Sequence, residues 1–209
     1  MRLRAWDLTI ERGGRRLFAS LSFATHEGSA LMITGANGAG KTSLLRALLG
    51  FLPVQAGGFA LEGGDKERTL AEQAHYLGHA DALKASLTAG ENLNFWAGAL
   101  GGDPARETSR AALARVGLAH VIDFPVRALS AGQKRRVALA RLLVAHRPLW
   151  LLDEPMTSLD ALAQEAFAAL MRAHLDRGGI VLAATHAPLA LPGARELRLG
   201  AQELAAARP

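Results

Sequence analysis

The chain has 209 residues, half of them hydrophobic, and a formal net charge of +5. It has no cysteine, which excludes disulfides and thiolate chemistry, and no apolar run near the roughly 20 residues that cross a bilayer. The first residues also lack the apolar stretch of a secretory signal, and the absence of a long Lys/Arg run disfavours nucleic acid as a partner. The positive charge suits a solvated Arg-rich surface, attraction to nucleotide phosphates, or attraction to anionic lipid headgroups.

The first third of the chain predicts strands around a glycine-rich loop. Polarity alternates over the first 25 or so residues, which predicts two antiparallel strands turned at Gly13-Gly14. A short buried strand at 30–33 precedes the glycine-rich loop, and a helix at 43–49 follows it. Further strand patterns lie at 57–62 and 74–78.

The middle of the chain changes to a helical pattern. Thr88 and Glu91 have the spacing of a capping box in front of a helix at 92–100. Two glycines then interrupt the helix, and Pro104 suits the first turn of a second helix that ends at Val116. This stretch is expected to be a helical lobe inserted into an α/β core.

The last third alternates strands with helices again. Ser130 is expected to cap a helix that continues to Ala145, and the alanine-rich tail predicts a short helix. Between that helix and the tail, the sequence predicts a strand at 149–152, a helix at 161–175, a strand at 180–184 and a weaker strand at 196–199. This alternation favours a mostly parallel, helix-covered sheet. We predict one domain over residues 1–209, with an α/β core at 1–83 and 129–209 and a helical subdomain at 84–128.

The strongest motif is the octapeptide GANGAGKT at 35–42, which matches the P-loop pattern in full. Its glycines let backbone N–H groups surround phosphates, and the following helix adds its positive N-terminal end. Lys41 is expected to reach the β- and γ-phosphates of ATP, and the Thr42 hydroxyl to ligate Mg²⁺. The predicted nucleotide-binding residues of this loop are Gly35, Ala36, Asn37, Gly38, Ala39, Gly40, Lys41, Thr42 and Ser43.

A second motif is the apolar strand 149–152 that ends in Asp153 and Glu154. Buried parallel strands have continuous apolar sequences, and ligands bind at their carboxyl ends. Asp153 is therefore expected to hold Mg²⁺ through water, and Glu154 to polarise the attacking water as the catalytic base. On its own the pair is equally compatible with two solvated acids that close a strand, and the P-loop upstream favours the catalytic interpretation.

The sequence LSAGQ at 129–133, followed by KRRVALAR, resembles the LSGGQ signature of the ABC ATPase family. The resemblance covers essentially the whole chain, with Ala131 in place of the first glycine. It implies the α/β P-loop fold of that family, with a mostly parallel core sheet, an N-terminal antiparallel β part and an inserted helical subdomain. It also implies a homodimer that sandwiches ATP, in which Ser130, Gly132 and Gln133 serve the γ-phosphate held by the other protomer.

Two further residues carry the resemblance. Asp160 lies in a segment similar to the D-loop, which crosses the dimer interface in the family. His186, directly after the strand at 180–184, resembles the switch histidine that contacts the γ-phosphate. A lone histidine after a strand is usually structural, and its place in this series of motifs favours the catalytic role.

Two positions depart from the family pattern. Arg12 stands where the family usually has an aromatic residue that stacks on adenine; it either stacks through its guanidinium plane or is a charge at a hairpin tip. His79 stands where the family has a glutamine that contacts Mg²⁺ and the catalytic water. Imidazole is a poor ligand for Mg²⁺, so we expect a sensing or coupling role more than metal ligation, with a plain surface histidine as the alternative.

The segments YLGHADALK at 76–84 and ENLNFW at 91–96 look like those of the ATP-binding subunit of the bacterial cytochrome c maturation system. That resemblance implies a peripheral ATPase at the cytoplasmic face of the inner membrane, bound to integral membrane permease subunits. Its work would be haem export or release of a haem-loaded chaperone.

Phe95 and Trp96 then either receive a coupling helix of the membrane partner or belong to the core of the helical lobe, and exposure of Trp96 would favour docking. The nearest alternative function is that of another small exporter ATPase, for drugs, lipids or lipoproteins. A non-transport ABC ATPase is less favoured because the chain has no long coiled-coil insertion and no second ATPase module.

Overall fold

The computed structural model describes residues 1–186 and 189–200, which form two sheets and five α-helices. The strands are β1 Arg2–Arg12, β2 Arg15–His26, β3 Ala30–Thr34, β4 Ala56–Glu62, β5 Ala74–Leu77, β6 Leu149–Asp153, β7 Ile180–Ala184 and β8 Arg195–Arg198. The helices are α1 Lys41–Leu48, α2 Ala89–Ala99, α3 Arg106–Arg115, α4 Ala131–Ala140 and α5 Ala161–Leu175. Within this part of the chain, no helix combines the length and apolar character that crossing a bilayer requires.

The antiparallel sheet has the strand order β2-β1-β4. Gly13 and Gly14 both have positive φ, 59° and 74°, and Arg12 pairs with Arg15 across the turn. Two consecutive left-handed residues favour the tight turns that match strand twist, which explains the glycine pair. The predicted hairpin at Gly13-Gly14 is confirmed.

The second sheet has the order β5-β6-β7-β3-β8, and its pairs β6–β7, β7–β3 and β3–β8 are parallel. Every residue of β6 and β7 is buried, which accounts for their continuous apolar sequences. Asp153 pairs with Ala184, so the carboxyl ends of the two central strands lie side by side. Residues that follow β3, β6 and β7 are thereby gathered at one edge of the sheet.

The five α-helices lie where the sequence predicts helices, and several of their starts and ends differ from the prediction. Thr88 and Glu91 form the predicted capping box, and α2 begins at Ala89. The prediction for Pro104 is wrong, because α3 begins at Arg106 and Pro104 lies before its N-cap. The predicted helix from Ser130 is too long, since α4 ends at Ala140 and continues as one 3₁₀ turn, a common tightening at helix ends.

The chain forms two compact units. One contains Met1–Tyr76, Pro148–Glu154 and the described residues from Arg172 onward, and it holds nearly all of both sheets together with α1. The other contains Leu77–Arg147 and Pro155–Met171, with α2 to α4 and most of α5. The division at residues 84 and 128 stays a prediction, and the tail helix predicted from alanine content lies outside the described residues.

Gly57 stands at an irregularity of the antiparallel sheet, where the register between β1 and β4 shifts. Its φ is +78°, and an added Cβ would overlap the carbonyl oxygens of Trp6 and Asp7. We expect Gly57→Ala to lower the free energy of unfolding by about 2–4 kcal/mol, because a left-handed torsion and a backbone overlap act together. Urea denaturation measures this loss.

The matched control is Gly13→Ala. Gly13 also has a positive φ, +59°, but its added Cβ meets nothing within 4 Å. We expect it to lose only about 1 kcal/mol, the contribution of the torsion alone. Equal losses in the two variants would contradict a role for the backbone contact at Gly57.

Candidate functional site

The glycine-rich loop leads from the end of β3 into α1. Gly35, Gly38 and Gly40 have φ values of 138°, 82° and 100°, which few other residues adopt. A Cβ on Gly35 would come within 2.7 Å of the Leu199 carbonyl oxygen, so the backbone packs too closely for a side chain there. Gly40 is the N-cap of α1 and provides no side-chain cap, which leaves the first backbone N–H groups of the helix for an anion.

The Lys41 side chain is held across this loop. Its Nζ donates to the carbonyl oxygens of Gly35 at 2.9 Å and Ala36 at 3.3 Å. The same atom lies 3.1 Å from Nε2 of His186. An ammonium group can only donate, so a hydrogen bond between the two requires Nε2 to be the acceptor. Lys41 and His186 therefore meet although 145 positions separate them.

Thr42 meets the end of β6. Its Oγ1 donates to Oδ1 of Asp153 at 3.1 Å, and Asp153 is only 1% exposed. A hydroxyl and a carboxylate are both hard oxygen ligands of the kind that Mg²⁺ prefers. The pair therefore has the right chemistry for the metal that the P-loop motif implies.

Glu154 has an unusual backbone conformation. Its φ is +47°, which is sparsely populated by residues with a side chain and is found more often at functional sites. The surrounding structure holds it there: its N–H donates to the Ala184 carbonyl at 2.8 Å. Its Oε1 lies 3.5 Å from Nε2 of His186, whose side chain is 51% exposed. The carboxyl edge of the parallel sheet thus brings together a cation, a hydroxyl, two carboxylates and an imidazole.

The signature residues lie in the second unit, at the start of α4. Ser130 accepts a hydrogen bond from the Gln133 N–H at 3.2 Å, and the Gln133 side chain accepts from the Ser130 N–H at 2.9 Å. A Cβ on Gly132 would be 3.2 Å from the Ser158 carbonyl oxygen, so this turn passes close to the segment before α5. Asp160 caps α5 by accepting from the Ala163 N–H at 2.8 Å.

The two departures from the family pattern both lie at the surface. Arg12 is at the exposed hairpin tip, opposite Arg15, and the exposed His79 is the second residue after the end of β5. Among the described residues, no three or more His, Asp or Glu side chains are grouped so as to hold a metal. Phe95 is 62% exposed, whereas the Trp96 ring is partly covered by the guanidinium group of Arg141. The exposure of Trp96 that would have favoured docking is therefore only partial.

Sequence reasoning missed one group of polar contacts in the second unit. Arg141 Nη1 donates to the Asp81 carbonyl at 2.7 Å, and Arg135 Nη1 lies 3.1 Å from Asp81 Oδ1. Asp81 and Arg141 are 60 positions apart, so no local pattern connects them. The signal in the sequence was weak: two arginines flank the buried apolar residues 137–140 at the end of α4.

Residues 18–157 match the sequence model of the protein family described as ABC transporter. The chain belongs to the ABC transporter family. The cytochrome c biogenesis ATP-binding export protein CcmA of Nitrobacter winogradskyi is 58% identical over 200 residues, which cover 96% of this chain and 98% of the relative. The protein of the same name from Rhodopseudomonas palustris is also 58% identical, with the same coverage.

A solved structure of the ATP binding subunit of an ABC transporter is similar as well. It has a TM-score of 0.78 and 25% identity, and the match covers 89% of this chain and 80% of that one. The predicted fold class is therefore confirmed: a mostly parallel α/β core, an antiparallel N-terminal β part and a helical insertion. As a member of this family the chain binds and hydrolyses ATP, and it has the role of the ATPase subunit of a transporter.

Proposed function

We propose that the chain is the ATPase of a bacterial ABC complex for cytochrome c biogenesis and that it powers haem export or the release of a haem-loaded chaperone. The observation that carries this proposal is full-length identity of 58% to relatives named for cytochrome c biogenesis export. The segments 76–84 and 91–96 are consistent with it, since they look like the corresponding segments of that subfamily.

The residues at the sheet edge suggest how the chain handles ATP. Lys41 would exchange its carbonyl partners for the β- and γ-phosphates, while the backbone N–H groups of the loop surround them. Glu154 would accept a proton from the attacking water, and His186 would contact the γ-phosphate. The left-handed backbone of Glu154 and the hydrogen bond from its N–H to the Ala184 carbonyl hold its main chain at the end of β6, which would help to orient the carboxylate before the substrate arrives.

Mg²⁺ fits the pair formed by Thr42 and Asp153. Both offer oxygen atoms, and they already lie 3.1 Å apart. Bound there, the metal would neutralise charge on the β- and γ-phosphates. The imidazole of His79 would offer a nitrogen atom, which is a poor ligand for Mg²⁺. We therefore propose that His79 senses the nucleotide.

A homodimer would complete the site. Ser130, Gly132 and Gln133 form the N-terminal turn of α4, whose backbone donors and dipole favour an anion. In the proposed dimer this turn serves the γ-phosphate bound by the other protomer, with Asp160 near the interface. Arg12 would lie beside the base and stack on it through its guanidinium plane.

The proposed complex is peripheral, at the cytoplasmic face of the inner membrane, with integral membrane permease subunits as partners. Co-purification tests this assignment. We expect an affinity-tagged chain, recovered from detergent-solubilised bacterial membranes, to bring down small membrane proteins that carry haem, detected by mass spectrometry and by the haem Soret absorbance.

A Phe124→Ala variant serves as a control. It removes an exposed aromatic side chain, and it should bring down the same partners as the intact chain. Recovery with a permease for drugs, lipids or lipoproteins, and without haem, would contradict the cytochrome c assignment. Recovery with DNA-repair or ribosomal proteins alone would point to a non-transport ABC ATPase.

A further inference from the structure

The 78–84 segment, which carries His79, has neither helix nor strand, and side chains bind its backbone. Arg135 Nη1 donates to the Gly78 carbonyl at 3.0 Å, and Arg141 Nη1 donates to the Asp81 carbonyl at 2.7 Å. Trp96 Nε1 donates to the Ala82 carbonyl at 3.1 Å. Because no ladder or helix satisfies these backbone groups, the path of the segment depends on three side chains from α2, α4 and the following turn.

Arg141 is the centre of this group. It is buried, and its guanidinium carbon lies 4.0 Å from the centroid of the Trp96 ring. Burial lowers the pKa of Arg141 to about 10, so the group keeps its charge at neutral pH. A planar guanidinium can stack on the indole and donate in its own plane at once, which a lysine ammonium cannot do.

The far end of the 78–84 segment is fixed by Asn92. Its Oδ1 accepts from the Lys84 N–H at 2.8 Å, and its Nδ2 donates to the Lys84 carbonyl at 3.1 Å. Between the two anchored ends, Ala82 has a φ of +53°, which a residue with a side chain adopts only under external constraint. The segment is therefore held in one strained path.

We propose that Arg141, stacked on Trp96, is a positioning residue for ATP hydrolysis: it holds the 78–84 segment and thereby sets the place of His79. This inference rests on the proposed role of His79 in sensing the nucleotide. Arg141 belongs to the unit that contains Leu77–Arg147, whereas the phosphate-binding loop belongs to the unit that contains Met1–Tyr76. Loss of the arginine should therefore slow turnover and leave the KM for ATP unchanged.

The test compares Arg141→Gln with the intact chain by two readouts. Digestion with a lysine-specific protease reports opening of the 78–84 segment, because cleavage after Lys84 requires its backbone to leave Asn92. Lys66, in an exposed loop of the other unit, is the internal reference. We expect cleavage at Lys84 to be about tenfold faster and kcat about tenfold lower, the factor expected for loss of one charge-assisted hydrogen bond.

Three variants complete the series. Arg115→Gln removes an exposed arginine of the same unit and should match the intact chain in both readouts. Trp96→Ala should reproduce Arg141→Gln. Trp96→Phe keeps an aromatic face for the guanidinium but has no indole N–H, so its effects should be intermediate, and it also serves if the other variants fold poorly.

Unchanged cleavage at Lys84 in Arg141→Gln and Trp96→Phe would overturn the proposal. So would faster cleavage with a normal kcat, since the contacts would then be structural only. A rise in KM as large as the fall in kcat would show that the effect lies in nucleotide binding, which also contradicts it. Failure of the intact chain to hydrolyse ATP would instead refute the proposed function itself.

Discussion

Replacement of Glu154 by glutamine is expected to leave ATP binding intact and to lower kcat by about 10²–10⁴-fold, the usual contribution of a general base. Glutamine has nearly the same shape, and the backbone bond from residue 154 to the Ala184 carbonyl does not involve the side chain. The amide, however, cannot accept a proton from water. The ATP-bound state should therefore accumulate, and with it the proposed dimer.

Phosphate release measures the turnover, calorimetry measures the affinity for ATP, and light scattering after gel filtration with ATP and Mg²⁺ measures the mass. Glu107→Gln is the matched control, because Glu107 is an exposed glutamate in the first turn of α3. It should match the intact chain in all three measurements. Normal hydrolysis by Glu154→Gln would show that another group is the base, and a monomer at saturating ATP would contradict the two-protomer site.

Lys41→Ala is expected to weaken ATP binding by about 10- to 100-fold, so that little nucleotide is bound at moderate ATP concentrations. The lysine is 8% exposed, and its ammonium group would be the main positive charge on the phosphates. Loss of one or two charge-assisted hydrogen bonds corresponds to this range. Removal of the ammonium also leaves Nε2 of His186 without its present donor.

A second variant, Lys41→Met, separates loss of charge from loss of packing, since methionine fills most of the volume of the buried lysine stem. Both variants should bind ATP equally weakly in calorimetry if charge is the cause. Lys66→Ala, at an exposed position, is the control and should bind normally. Binding by Lys41→Met at the strength of the intact chain would contradict a direct phosphate contact.

Much of the fold follows from local sequence patterns. The glycine pair at the β1–β2 turn, the capping box at Thr88 and the apolar sequences of β6 and β7 each depend on torsions and burial within a few residues. Such features are visible without any tertiary information. The errors came where local rules are weakest, at the helix start after Pro104 and the end of α4, because several neighbouring residues can terminate a helix.

The candidate site likewise has a part that the local sequence predicts and a part that depends on distant residues. A strand, a glycine-rich loop and a lysine at a helix start are consecutive, and together they predicted a nucleotide site at residues 35–43. The partner of Thr42 is 111 positions away and that of Lys41 is 145 positions away. Only the parallel register of β6, β7 and β3 puts those partners at one edge.

By itself the amino-acid sequence determined the family, the P-loop and the acidic strand end, because each is encoded in consecutive residues. The tertiary structure decided which groups contact each other: Lys41 with His186, Thr42 with Asp153, and Arg141 with the backbone of the 78–84 segment. The physical reason is that distant segments meet only through strand pairing and packing. Neither residue type nor spacing along the chain fixes those contacts.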